Sequence, residues 1–192
     1  MQAEDKNKLV EKLTRKVEEN PESATAHMKL GTILLQMGKT KRAEQELKKA
    51  VEIDPSCVPA WVNLGGILLA RWDFTGCVEA NRQAAKHKPD TLEAHYNQGL
   101  GHLYLVQKEE MVACFRRVVE LDDEHAPGHY HLAVGLLALG EKAEAQTELS
   151  RAMQLGYKPE PQFLKALRKD DGKKQPVIEI ESETKKEKTT KV

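Results

Sequence analysis

Residues 24–57 read ATAHMKLGTILLQMGKTKRAEQELKKAVEIDPSC and residues 58–91 read VPAWVNLGGILLARWDFTGCVEANRQAAKHKPDT, two segments of 34 residues that align position by position. The same step carries Gly31 to Gly65, Ala50 to Ala84 and Pro55 to Pro89, with Pro21 one step earlier. Continued along the chain it reaches Gly99 and Ala133, then Val118 and Ala152, and it links His27, Trp61, His95 and His129. Four copies therefore run from Ala24 to Tyr157, as units 24–57, 58–91, 92–125 and 126–157. A fixed period of this length marks an array in which no unit buries its apolar face alone, so that neighbours must stack.

Each unit has two stretches with apolar residues at helical spacing, such as Leu30, Ile33, Leu34 and Met37 followed by Ala43, Leu47, Ala50 and Val51. Turn residues separate them, Gly38-Lys39-Thr40 in the first unit and Gly140-Glu141-Lys142 in the fourth. The small residue at Gly31, Gly65, Gly99 and Ala133 lets paired helices approach closely, with Ala43 and Ala145 expected in the facing layer. The expected fold class is all-α, a solenoid of antiparallel helix pairs.

The chain resembles the tetratricopeptide repeat, whose signature is W-x-x-L-G-x-x-Y, then A-x-x-x-F, then a closing proline. The second unit matches with Trp61, Leu64, Gly65 and Leu68, the first with Leu30, Gly31, Leu34, Ala43, Leu47, Ala50 and Pro55. The resemblance implies a right-handed superhelix whose concave surface, lined by the first helix of each pair, binds a protein or peptide partner. It implies no cofactor and no small-molecule substrate.

Outside the units the pattern changes. Leu9, Leu13 and Val17 lie along a charged helix over 4–20 that ends at Asn20-Pro21, and Pro161, Phe163, Leu164, Ala166 and Leu167 form a short helix within 158–169. Both are expected to cap the array. Residues 170–192 mix Lys, Glu, Ser and Thr around Gly172 and Pro176 with no repeating apolar face, which predicts a disordered charged tail. Its one apolar cluster is Val177-Ile178-Glu179-Ile180.

A formal net charge of zero argues against a dedicated nucleic-acid or anionic-membrane binder. Cys57, Cys77 and Cys114 form no C-x-x-C pair and read as thiols of a reducing compartment. Met1 leads into the charged run Glu4-Asp5-Lys6-Asn7-Lys8 with no apolar stretch behind it, and a cytoplasmic location is expected.

The register places Lys29, Asn63, Asn97 and His131 at equivalent groove positions in successive units. An amide there donates and accepts at once, which suits the backbone of an extended peptide. Tyr96, Tyr104 and Tyr130 are the expected aromatic anchors. Family members that hold chaperone carboxy-terminal carboxylates use Lys, Asn, Asn, Lys and Arg at positions held here by Met28, Thr32, Asn63, Glu93 and Asn97, of which only Asn63 matches. Lacking those cations, the groove is not expected to hold an acidic tail.

Asn81, Gln98 and His102 replace apolar residues on adjoining faces of units two and three, so a mutually bonded polar layer is expected there. His125, His129 and His131 cluster in sequence, but Pro127 and Gly128 put His125 in a turn and the other two rings diverge, so no metal site is expected. With no G-x-S-x-G, phosphate-cradling loop or H-E-x-x-H, the chain is not expected to be an enzyme. The reading is a protein-interaction adaptor or scaffold. Its alternative is a structural subunit that docks by a convex or edge surface, for which Trp72 and Phe74 in the turn of unit two are suited.

Overall fold

A computed structural model describes residues 3–168, and the tail expected over 170–192 lies outside them. The described residues form ten helices: α1 (Ala3–Glu19), α2 (Ala24–Gln36), α3 (Thr40–Ile53), α4 (Val58–Ala70), α5 (Phe74–His87), α6 (Leu92–Tyr104), α7 (Lys108–Leu121), α8 (Ala126–Leu139), α9 (Lys142–Gln154) and α10 (Pro161–Arg168). Helices α2 to α9 pack as four consecutive pairs, each pair against the next, with α1 against α2. The fold is an all-α solenoid. None of these helices is long and apolar enough to cross a membrane.

Local chemistry sets where the helices begin. Ser23 Oγ accepts from the Ala26 N–H at 3.3 Å, an Asp73 carboxylate oxygen from Gly76 at 2.9 Å and His125 Nδ1 from Gly128 at 2.9 Å, each capping a helix start. A second device recurs with the period. Trp61 Nε1–H donates to the Pro55 carbonyl at 2.8 Å, and a ring nitrogen of His27, His95 and His129 reaches the carbonyls of Pro21, Pro89 and Asp123 at 2.9, 2.7 and 2.9 Å. These bonds satisfy a carbonyl of the inter-unit turn, and in the fourth unit Arg151 also donates to the Asp123 carbonyl, at 3.3 Å. In units one and four the histidine is also held from behind, by Glu46 at 2.7 Å and Glu148 at 2.6 Å; the same column carries Ala80 behind the larger Trp61.

The close approach within pairs depends on the small-residue column. A Cβ on Gly31 would lie 2.7 Å from Leu47 Cγ, and one on Gly99 the same distance from Phe115 Cζ. The side chains filling the gap are thus Leu47, Asn81 and Phe115, while Ala43 presents its backbone carbonyl to Gly31; Ala43 and Ala145 are both buried.

The apolar core divides into two clusters. One runs from Val10 to Ala80 and the other from Met111 to Leu167, and the break falls between α5 and α6. The polar layer expected at that break has other members than the sequence implied. Asn81 is fully buried, but it donates to the Cys77 carbonyl at 2.9 Å and accepts from Asn97 at 3.4 Å, while His102 bonds Gln107 of its own turn at 2.7 Å. Gln98 is buried without joining either. Burial raises the thiols of Cys77 and Cys114 to about 11, and all three cysteines are free.

The turn inside each pair needs a left-handed residue, and Gly38 and Gly140 supply it with φ of 71° and 86°. Trp72 and Val106 hold the same column with φ of 65° and 59°, at a cost of about 1–2 kcal/mol each for a residue with a Cβ.

Candidate functional site

The residues expected in the groove come from α2, α4, α6 and α8, and the structure treats them unequally. Lys29 is exposed on α2, and Asn63 and Asn97 are half-buried on α4 and α6. Each asparagine uses one amide N–H to grip the preceding unit: Asn63 Nδ2 donates to Thr32 Oγ1 at 2.9 Å, and Asn97 Nδ2 to Asn81 Oδ1 at 3.4 Å. The Thr32 hydroxyl donates in turn to the Met28 carbonyl at 2.9 Å, so the first of these amides is oriented by two linked hydrogen bonds. Among the described residues neither asparagine carbonyl oxygen accepts a bond. Each amide therefore keeps an acceptor and its second N–H for something outside the chain.

Beside Asn97 an aromatic group assembles across units three and four. His131 stacks on Phe115 with centroids 5.1 Å apart, and Tyr96 meets Phe115, His125 and His131 edge-on at 5.7, 5.1 and 5.9 Å. His131 Nδ1 is buried without a hydrogen-bond partner. Burial, helped by the neighbouring His125, holds this imidazole down to about 4, so it is neutral near pH 7. Burial also raises the Tyr96 phenol.

Two of the expected anchors lie elsewhere. Tyr130 is only 9% exposed, because Tyr157 stacks on it at 4.4 Å and Phe163 of α10 meets it edge-on at 5.4 Å. It anchors the C-terminal cap rather than lining an open groove, and burial lifts its phenol to about 12. Tyr104 turns to the edge of the array, where its ring stacks on Phe74 at 4.5 Å. The left-handed Trp72 and Val106 were not anticipated as a pair, although aligning their column with Gly38 and Gly140 would have exposed both.

No group of three or more His, Cys, Asp or Glu suited to a metal ion occurs among the described residues. His125 serves as a helix cap, His129 packs against Glu148, and His131 stacks on Phe115, so the three rings are committed to different neighbours.

Two family models, both described as tetratricopeptide repeat, match residues 10–68 and 92–125. No curated protein matches the chain by sequence. Among solved structures, YrrB, described as a TPR protein with an unusual peptide-binding site, is 20% identical with a TM-score of 0.71, covering 75% of this chain and 74% of its own. PilF of Pseudomonas aeruginosa is 20% identical at a TM-score of 0.71, with 81% and 71% covered. A MamA fragment from Desulfovibrio magneticus RS-1 is 19% identical at 0.70, with 78% and 85% covered. At these identities the likeness is one of fold.

Proposed function

The chain belongs to the tetratricopeptide-repeat family, and from that premise we propose that it is a non-catalytic adaptor holding an extended segment of a protein partner along the first helices of its units. The observation that carries the reading is the pair Asn63 and Asn97. Equivalent positions in adjacent units each keep a free amide carbonyl while one N–H fixes the side chain to the unit before. An amide oriented in advance loses little rotamer entropy when it meets a peptide backbone, and backbone recognition tolerates many side chains. Tyr96 and His131 supply an aromatic wall beside Asn97, and Lys29 an exposed cation at the other end. The described concave helices lack the set of cations that would favour an acidic tail, so the favoured ligand is an internal, uncharged or mixed segment.

The test selects binders for the full chain from a random peptide library and measures their affinity for Asn63→Ala and Tyr96→Ala, with circular dichroism as a check on folding. Each substitution should weaken a groove ligand about tenfold or more, and Trp72→Ala should leave it unchanged. Peptides that bind all groove variants as tightly as the parent would place recognition on another surface.

A further inference from the structure

The edge where each first helix turns into its second carries Gly38, Trp72, Val106 and Gly140 in one column. Units two and three put bulky apolar residues where glycine fits best, and these residues lie open, Trp72 at 53% exposure and Val106 at 71%. Tyr104, 39% exposed, joins them. Phe74 and Tyr104 stack nearly flat, at 9°, and Trp72 stands edge-on to both at 5.8 and 5.9 Å. Three of the four large apolar side chains most exposed among the described residues therefore share one patch, and Met153 is the fourth. A rim that accepts backbone strain in order to expose apolar surface calls for a cover.

The chain supplies a candidate where it leaves the array. Phe163, near the start of α10, rests on Tyr130, near the start of α8, and Leu167 is buried in the same core. Helix α10 thus packs on the core of the fourth unit, and the chain continues beyond Arg168 from that end of the array. We propose that Val177, Ile178 and Ile180 dock on the patch formed by Trp72, Phe74, Tyr104 and Val106. Ring contacts link α6 to α8 and α8 to α10, so about two helix spacings, roughly 20 Å, separate the axis of α6, the helix before Val106, from that of α10. The stretch from Arg168 to Val177 reaches up to about 30 Å when extended. Residues 169–176 read KDDGKKQP and contain no large apolar side chain to stop the chain sooner. The open patch amounts to on the order of 300 Å², well below the roughly 800 Å² per partner of a stable dimer. It fits three aliphatic side chains of one short segment.

The chain has two tryptophans, and Trp61→His keeps a ring N–H for the Pro55 carbonyl as His95 does for Pro89, leaving Trp72 as the one fluorophore. In that background the full chain is compared with a version carrying Val177→Ser, Ile178→Ser and Ile180→Ser. Docking predicts red-shifted Trp72 emission and a several-fold rise in acrylamide quenching in the serine version, independent of protein concentration and reversed by a synthetic peptide of residues 172–192. Equal emission and quenching in the two chains overturn the proposal. A shift in the parent that grows with protein concentration assigns the patch to a second copy and overturns it as well. Hydrogen exchange at 71–74 and 105–108, read on the same serine substitutions with Trp61 intact, gives the answer even where Trp61→His disturbs the fold; equal protection there refutes docking.

Discussion

Replacing Gly65 by alanine and, separately, its neighbour Gly66 sets packing against helix propensity within one helix. A Cβ on Gly65 would overlap Asn81 Nδ2 and lie 2.7 Å from its Cγ. Asn81 has nowhere to retreat, since it is fully buried and bonded to the Cys77 carbonyl at 2.9 Å and to Asn97 at 3.4 Å. Forcing a packed side chain aside costs about 1–3 kcal/mol, and unmaking its buried hydrogen bonds costs about 1–3 kcal/mol more. Against this, alanine gains about 1 kcal/mol over glycine in a helix interior. Gly65→Ala should therefore destabilise by about 1–5 kcal/mol. Gly66 faces open space with nothing within 4 Å of a Cβ, so Gly66→Ala keeps only the propensity gain of about 0.5–1 kcal/mol. Urea denaturation followed by far-UV circular dichroism measures both. Asn81→Ala removes the overlapping atoms, so adding Gly65→Ala to it should be neutral or stabilising, a coupling of opposite sign to the single change. Equal stabilisation by Gly65→Ala and Gly66→Ala would refute the close approach of α4 and α5.

In the chain carrying Val177→Ser, Ile178→Ser and Ile180→Ser, Val106→Gly should stabilise the array by about 0.5–1 kcal/mol, because a β-branched residue leaves the left-handed region while losing little packing; a lower melting temperature in that background would show that Val106 packs within the array itself. Glu148→Ala should cost about 1–3 kcal/mol by stripping His129 Nδ1 of its 2.6 Å partner, and a denaturation midpoint unchanged within error would mean water replaces the carboxylate without loss. His131 contributes a pH dependence: burial holds its folded pKa near 4 against an ordinary value of 6.5, so the unfolded chain binds the proton more readily. That contribution is complete above about pH 6.5 and is lost as pH falls toward 4, reaching about 2–3 kcal/mol by pH 4.5. His131→Phe, which preserves the stack on Phe115, should flatten the stability curve over this range, and parallel curves for the two proteins would sink the assignment.

The 34-residue period was sufficient for the helix pairs and the small-residue column, because which face of a helix is apolar is a local property that each unit repeats. That Asn63 and Asn97 occupy one column was legible for the same reason. The sequence could not tell that Tyr130, one step along from Tyr96, is covered, since Tyr157 and Phe163 belong to a cap with no earlier copy to align against. Nor could it name the partner of Asn81. Gln98 and Asn97 are adjacent in sequence but point about 100° apart on α6, and the close packing of α5 on α6 turns Asn97 toward Asn81. Tyr104 likewise has a groove position by count, yet its ring swings across the turn to Phe74. Periodicity determines which side of each helix meets a neighbour; which atoms then touch depends on rotamers and helix separations that only the packed array decides.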